Sequence, residues 1–162
     1  MADRITAFGP VAPPRARVLV LGSMPSVESL NQGFYYAHPR NAFWRIMAEA
    51  LGEPFPGDIP ARIALLERHD IALWDVLKSC QRQGSLDSAI RDMEVNDFAA
   101  LFERCPRIER VLLNGGTAKK VFLKYGLEAL GDRAWAALPS TSPAYTLSYE
   151  RKLAQWRQAL TL

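Results

Sequence analysis

Short, continuous apolar runs alternate with amphipathic segments along this chain, and this alternation constrains the fold most strongly. The first run, Val18-Leu19-Val20-Leu21, is followed by Gly22. A short, continuous apolar run of this kind is typical of a strand that is buried on both faces of a parallel sheet. Further strands are predicted at Ile71–Trp74, Val111–Leu113 and Ala134–Leu138. We therefore expect a three-layer α/β/α fold around a short, central, parallel four-stranded sheet.

Apolar spacing and capping residues predict the helices between these strands. Three of them are Phe43–Leu51, Thr117–Tyr125 and Tyr149–Leu160. A fourth is capped by Asp58, has Pro60 in its first turn and ends at Arg68, and a fifth is capped by Asn96 and runs to about Arg104. The polar stretch Gln81–Ser88 indicates a loop. Prolines make residues 1–16 an extended lead-in to one domain that spans residues 1–162.

The charge balance gives only a weak indication of the partner. The net charge is +3 and the pI is about 9.0, and 15 of the 20 basic residues are arginine. Arginine suits bidentate phosphate contacts and stacking better than lysine does. A genome-wide compositional bias would explain the arginine content equally well.

The cysteines, histidines and apolar segments exclude several classes of protein. Cys80 and Cys105 are too few for an iron–sulfur cluster, and His38 and His69 lack metal-ligand spacing, so we expect no metal. The start, Met1–Gly9, has no long apolar run and is not expected to be a secretory signal. No segment approaches the roughly 20 apolar residues of a membrane span. We expect a cytoplasmic protein with free thiols.

Four loops follow the predicted strands and should meet at one edge of the sheet. They are Gly22–Pro25, Trp74-Asp75, Asn114–Gly116 and Pro139–Pro143. In open α/β sheets, ligands bind beyond the carboxyl ends of the strands. The meeting of four such loops predicts a site there more strongly than any one of them.

The segment Gly33–Trp44 combines aromatic, amide and basic side chains. Of the adjacent Tyr35 and Tyr36, we expect one, preferably Tyr36, to stack on a nucleobase, and core packing is the alternative. Asn41 precedes the helix that begins at Ala42 or Phe43, and there it caps the helix, orients a water, or does both. His38 is expected to be a structural histidine bonded to a backbone carbonyl.

The remaining loop residues each allow two interpretations. The hydroxyls of Ser140, Thr141 and Ser142 suit a phosphate, or their turn only connects a strand to a helix. Asp75 either accepts an N–H of a base or caps the next segment. Asp87 is an active-site acid or part of an Asx turn, and we favour the turn. A nucleophilic serine is not expected, because neither Ser23 nor Ser140 lies in a G-x-S-x-G motif.

Taken together, these motifs resemble the uracil-DNA glycosylase superfamily, and within it the hypoxanthine-DNA (deoxyinosine) glycosylase branch, related to the mismatch-specific uracil/thymine glycosylases. The resemblance runs from about residue 18 to residue 156. It is carried by Gly22-Ser23-Met24-Pro25, Tyr35-Tyr36-Ala37-His38-Pro39-Arg40-Asn41-Ala42-Phe43-Trp44, Trp74-Asp75-Val76-Leu77, Gly84-Ser85-Leu86-Asp87-Ser88 and Leu138-Pro139-Ser140-Thr141-Ser142-Pro143. It implies an α/β/α fold, hydrolysis of an N-glycosidic bond, no cofactor, and DNA with a deaminated base as the partner of a monomer.

The resemblance also implies roles for the first group of site residues. The turn Gly22–Pro25 matches the motif that lines the sugar and the attacking water. Met24 stands where mismatch-specific relatives carry a catalytic asparagine, so the water-positioning role passes to Asn41. Tyr36 falls at the position of the aromatic that stacks on the flipped base.

Other roles concern the edge of the base and the DNA backbone. Backbone groups near Gly22 and Ser23, with Asp75 or Asn114, are expected to bind the edge of the base. The second family motif, which includes Ser140, Thr141 and Ser142, is expected to hold the flanking phosphates. Tyr145 is the candidate wedge by position. No lysine lies in these motifs, so we expect no Schiff base and no strand cleavage.

Two further functions stay open at this point. Met24 and Leu138 replace an asparagine and a histidine of relatives, which allows a catalytically silent module that binds damaged DNA. A small-molecule nucleotide hydrolase with the same fold is less consistent with the Pro139–Pro143 turn. The preferred base, among hypoxanthine, uracil and xanthine, is left open.

Overall fold

The computed structural model describes residues 3–161, in which helices and strands alternate over most of the chain. The strands are β1 (Arg4–Thr6), β2 (Val18–Gly22), β3 (Ile71–Asp75), β4 (Leu77–Gln81), β5 (Arg91–Val95), β6 (Arg110–Asn114) and β7 (Ala134–Leu138). The helices are α1 (Val27–Gln32), α2 (Phe43–Leu51), α3 (Ile59–Arg68), α4 (Phe98–Arg104), α5 (Gly116–Tyr125), α6 (Leu127–Leu130) and α7 (Tyr149–Leu160), and a short 3-10 helix covers Asp87–Ala89.

A parallel sheet with the strand order β3–β2–β6–β7 lies at the centre of the described part of the chain. All residues of β2 and β3 are buried, as expected for strands covered on both faces. Helix α3 contacts β3, α5 contacts β6, and α7 contacts β7. The predicted α/β/α fold with a short, parallel, four-stranded sheet is confirmed, and each predicted strand matches to within one residue at either end.

The register of this sheet places the last residues of its strands side by side. Gly22 pairs with Asp75, and Asn114 pairs with Leu138. Leu21 pairs with the residue just before Asn114, so Gly22 and Asn114 end their strands at the same level. The loops that follow these residues therefore leave from one edge of the sheet.

A second, antiparallel sheet, in which β4 pairs with both β1 and β5, is not predicted by the sequence. Strand β5 is polar and almost wholly exposed, so it lacks the alternation that marks a half-buried strand. The predicted lead-in contacts both sheets, since β1 lies within it and pairs with β4, and Val11 forms an isolated bridge to Leu73 of β3. The predicted loop Gln81–Ser88 is shorter than expected, because β4 and the 3-10 helix take its two ends.

The helices largely follow the capping signals. Helices α2 and α7 have the predicted bounds, and Asp58 caps α3 as expected. The predicted cap of α4, Asn96, is wrong: Asp97 caps this helix by accepting a hydrogen bond from the backbone N–H of Ala100 at 3.1 Å. The Asn96 amide instead donates to the carbonyl oxygen of Asp75 at 2.8 Å. Helices α1 and α6 are too short to show a helical apolar period.

Two buried tryptophans tie loops of the sheet edge to the core. The indole N–H of Trp44 donates to the carbonyl oxygen of Tyr35 at 3.0 Å, and that of Trp156 donates to the carbonyl oxygen of Pro139 at 2.9 Å. Each loop is thereby hydrogen-bonded to a buried side chain of the core. Within residues 3–161, no helix combines the length and apolar character needed to cross a membrane.

Candidate active site

A cavity of about 540 Å³ lies at the edge where the parallel strands end. Its volume falls within the roughly 300–1,000 Å³ common for ligand sites. Every residue that the sequence assigned to the site lines this cavity: Gly22, Ser23, Met24, Tyr36, Asn41, Asp75, Asn114, Ser140, Thr141, Ser142 and Tyr145. The loops that were predicted to meet therefore line one cavity, which is open to solvent.

Gly22 allows two polar side chains to approach the end of β2 closely. A Cβ atom at this position would lie 2.6 Å from Oδ1 of Asp75 and closer than 3.0 Å to the hydroxyl of Tyr36. Both distances are shorter than real Cβ contacts allow. The missing side chain of Gly22 thus makes room for the tyrosine and the carboxyl at the same wall of the cavity.

Tyr36 is fixed by its backbone and by the ring beneath it. Its φ of 53° lies in the left-handed region that few non-glycine residues adopt. Its ring stacks on the buried ring of Phe43, with centroids 4.1 Å apart and 22° between the planes. Burial and the charge of Asp75 raise the pKa of Tyr36, so its hydroxyl stays protonated. Tyr35, by contrast, is a core residue whose hydroxyl donates to the carbonyl oxygen of Gly9 at 2.7 Å.

Asp75 is a buried acid with an unused oxygen. Its exposed fraction is 2%, and within residues 3–161 its Oδ2 has no hydrogen-bond partner. Burial and, to a smaller extent, the charge of Asp87 raise the pKa of Asp75 to about 7, although the charge of Arg82 lowers it. Leaving a buried polar atom unsatisfied is unfavourable, so a donor on a bound ligand would be stabilised here.

Asn41 lies at the start of α2 and also faces the cavity. The N-cap position of α2 is Ala42, which makes no side-chain capping bond. Asn41 caps the first N–H of the helix from one residue earlier, because its Oδ1 accepts a hydrogen bond from the backbone N–H of Phe43 at 3.0 Å. The same side chain lines the cavity. An amide oxygen has two lone pairs and the amide nitrogen has two donors, so capping leaves Asn41 able to bind a water.

The turn after β7 is held by its own hydrogen bonds and by Asn114. Ser140 Oγ accepts from the N–H of Ser142 at 3.1 Å, and Ser142 Oγ accepts from the N–H of Ala144 at 3.2 Å. Thr141 is only 1% exposed, and its N–H and hydroxyl both bond to the Asn114 amide. Ser140 and Ser142 are the more exposed hydroxyls of this turn.

Lys152 lies beneath the same turn and was not predicted from the sequence. This lysine is 5% exposed, and its Nζ donates to the carbonyl oxygens of Ser142 at 3.1 Å and Tyr145 at 2.7 Å. Burial lowers the pKa of Lys152. The ammonium group fixes the turn from below and places positive charge under a surface predicted to contact phosphates.

Two other residues differ from the sequence interpretation. The Asp87 side chain accepts a hydrogen bond from the Ser23 hydroxyl at 2.9 Å and lines the cavity, in addition to starting the 3-10 helix. His38 does not bond a backbone carbonyl through Nδ1, because this nitrogen accepts from the N–H of Arg40 at 3.0 Å. Among residues 3–161, no group of three or more His, Cys, Asp and Glu side chains could hold a metal ion.

A second groove, of about 590 Å³, adjoins the cavity and shares Tyr36, Asn41 and Thr141 with it. Its other walls are basic and aromatic, and they include Arg45, Arg62, Trp44, Phe55 and Tyr149. Basic and aromatic side chains together suit the phosphates and bases of a nucleic-acid strand.

Comparison with known proteins agrees with this architecture. The family model of the uracil DNA glycosylase superfamily matches residues 8–161. A relative from Methanosarcina barkeri (strain Fusaro / DSM 804), named hypoxanthine DNA glycosylase, is 33% identical over 156 residues, which cover 94% of this chain and 95% of the relative. A protein of the same name from Methanosarcina acetivorans is 34% identical over 153 residues, or 92% and 93% of the two chains.

A solved structure agrees as well. The solution NMR structure of a candidate uracil DNA glycosylase from Methanosarcina acetivorans superposes with a TM-score of 0.83 and 33% identity, and the match covers 98% of this chain and 97% of that one. The chain therefore belongs to the uracil DNA glycosylase superfamily, and the resemblance drawn from its motifs is confirmed. Membership supports the predicted class, a DNA glycosylase.

Proposed function

We propose that this protein is a monofunctional DNA glycosylase that removes hypoxanthine from DNA. The names of two relatives that align over nearly the whole chain support this substrate. The observation that carries the proposal is the single cavity in which Tyr36, Asn41 and Asp75 meet beside the Ser140–Ser142 turn. These are a stacking surface, a water-binding amide, a buried acid and a phosphate-facing turn.

Base binding begins with extrusion of the nucleotide from the duplex. Extrusion costs a few kcal/mol, and least for a mispaired or damaged base. In the cavity, the base stacks on the face of Tyr36 opposite Phe43. Backbone groups of Gly22 and Ser23 and the carboxyl of Asp75 bind the base edge. A neutral carboxyl suits hypoxanthine, because it accepts from N1–H and donates to the adjacent O6.

Asn41 positions the water that attacks the sugar. The water oxygen bonds to C1′ while the bond from C1′ to the base breaks, and the bonding electrons leave with the base. The water proton passes to solvent or to the departing base. Holding the water beneath C1′ replaces a bimolecular encounter by a positioned one, and the stability of the hypoxanthine anion reduces the help that the leaving group needs.

The backbone of the DNA is held by the turn after β7. Ser140 and Ser142 present the hydroxyls for phosphate oxygens, and we assign the buried Thr141 to holding the turn in place through Asn114. Lys152 is engaged with two carbonyl oxygens, which supports a mechanism without a Schiff base.

The test uses end-labelled duplexes that carry one deoxyinosine or one deoxyuridine, followed by alkali. The expected result is a cut strand only after alkali, with more product from deoxyinosine. More product from deoxyuridine would support a DNA glycosylase but would make uracil, and not hypoxanthine, the preferred base. Cutting without alkali would contradict a monofunctional enzyme. Binding without product would indicate the silent module, and hydrolysis of free deoxyinosine alone would indicate a nucleoside hydrolase.

A further inference from the structure

Leu86 is an apolar side chain at the mouth of the cavity. It is 59% exposed and lines the cavity, although it belongs to the loop before the 3-10 helix and not to the turn that carries Tyr145. Single exposed leucines are common on protein surfaces, so exposure alone does not indicate a function. Leu86 differs from such residues because hydrogen bonds hold its loop in place.

A buried arginine holds the start of this loop. Arg82 is 5% exposed, and its guanidinium donates to the carbonyl oxygens of Gly84 at 2.7 Å and Pro25 at 2.5 Å. One carbonyl belongs to the loop itself and the other to the turn after β2. The guanidinium therefore joins the loop to the wall of the cavity.

The residues on either side of Leu86 are fastened to the same wall. Ser85 Oγ accepts from the backbone N–H of Val27 at 2.9 Å, and Asp87 Oδ1 accepts from the Ser23 hydroxyl at 2.9 Å. Leu86 is thus held between two anchored neighbours with its own side chain left in solvent. This arrangement presents a fixed apolar group at the mouth of the cavity.

We infer that Leu86 enters the base stack of bound duplex DNA and fills the space that the extruded nucleotide leaves. The inference rests on the proposed glycosylase function. Apolar side chains inserted between base steps hold a distorted duplex open, and enzymes that act on an extruded base must offset the lost stacking. Leu86 and the candidate wedge Tyr145, which is 48% exposed, then insert from two separate loops of one cavity.

The test compares wild type, Leu86→Ala, Leu86→Met and the control Leu127→Ala, which truncates another exposed leucine on α6, outside the cavity. Single-turnover excision is measured on two duplexes. In one the deoxyinosine pairs with dC, and in the other it faces an abasic-site analogue and has no pairing partner. Melting temperatures of all four proteins verify folding.

Leu86→Ala is expected to slow excision from the paired duplex by about tenfold or more and to leave the unpaired substrate within about twofold of wild type. Leu86→Met and Leu127→Ala should match wild type on both duplexes. Equal rates for Leu86→Ala and wild type on the paired duplex would overturn the inference, as would an equal loss on both substrates. If the wild-type protein excised hypoxanthine from neither duplex, the proposed function itself would fail, and this inference with it.

Discussion

The side-chain amide of Asn114 holds Thr141 at two points. Asn114 Oδ1 accepts from the backbone N–H of Thr141 at 3.0 Å, and Asn114 Nδ2 donates to the Thr141 hydroxyl at 3.1 Å. The carbonyl oxygen of Thr141 accepts in turn from the N–H of Ala42 at 3.0 Å. The end of β6, the turn after β7 and the start of α2 therefore form one hydrogen-bonded unit that reaches the neighbour of Asn41.

Replacing Asn114 should uncouple this unit. Asn114→Ala leaves the buried N–H and hydroxyl of Thr141 without their partner, which costs about 1–3 kcal/mol of stability. The turn would also lose its fixed position relative to Asn41, so the single-turnover excision rate should fall by about tenfold or more. Thr141→Val removes only the hydroxyl bond and should show a smaller loss in both. Urea denaturation and excision assays measure the two effects. An Asn114→Ala protein that is less stable but excises at the wild-type rate would contradict the coupling.

Asn41 has a capping role and a proposed water-binding role, which two substitutions separate. Asn41→Ser keeps a side-chain oxygen for the N–H of Phe43 but is too short to hold the water, whereas Asn41→Ala loses both. Both variants should lose excision by about 100-fold or more. Asn41→Ala should in addition lose about 1 kcal/mol of stability, as other lost caps do.

Rates from single-turnover assays and midpoints from urea denaturation distinguish the roles of Asn41. Lesion binding by both variants should persist, because Tyr36 and the phosphate-facing turn are unchanged. An Asn41→Ser protein with near wild-type excision would mean that the asparagine acts only as a cap.

The central sheet could be predicted because its determinants are local. The run Val18–Leu21 is buried throughout, and parallel strands bring their carboxyl ends together whatever the loops contain. This rule alone placed Gly22, Asp75 and Asn114 at one edge. Strand β5 could not be predicted, since its exposed, polar residues are ordered by pairing with β4 and carry no apolar period of their own.

The supporting contacts of the site were beyond prediction for a different reason. Arg82 bonds to Pro25, which lies 57 residues earlier, and Asn114 bonds to Thr141, 27 residues later. A single basic or amide residue carries no pattern that identifies such a partner. Lys152 likewise resembles any lysine of an amphipathic helix until α7 is seen to pack beneath the turn. The sequence therefore predicted which loops meet, and the structure supplied what holds them.

Lys152 should act on DNA binding more than on bond cleavage. Lys152→Met removes the ammonium group that donates to Ser142 and Tyr145 and leaves the turn less ordered. We expect KM to rise about tenfold, the equivalent of one lost charge-assisted hydrogen bond of ~1.4 kcal/mol, with kcat little changed. Lys124→Met, which removes the same charge from an exposed position on α5, is the control and should behave as wild type. A fall in kcat at constant KM would exclude this role.

Asp75 should make stability depend on pH in an unusual direction for a carboxyl. Its pKa rises from 3.8 to about 7 on folding, so between these values the folded protein keeps a proton that the unfolded chain has lost. The free energy of unfolding therefore falls as pH rises from about 4 to 7, and levels off above 7. Asp75→Asn removes this dependence and should be more stable than wild type at pH 8, by up to about 4 kcal/mol at 1.36 kcal/mol per pKa unit. Denaturation at pH 4, 6 and 8 tests this.

Excision of hypoxanthine should follow the same protonation. An ionised Asp75 would repel O6 and oppose the negative charge that develops on the departing base, whereas the neutral carboxyl donates to O6. The single-turnover rate of wild type should therefore fall as pH rises through about 7. Asp75→Asn, whose amide keeps an acceptor for N1–H and a donor for O6, should lack this inflection over pH 6–8. A wild-type rate that rises through the same range would show that the ionised carboxylate is the active form, and would exclude hydrogen-bond donation by Asp75.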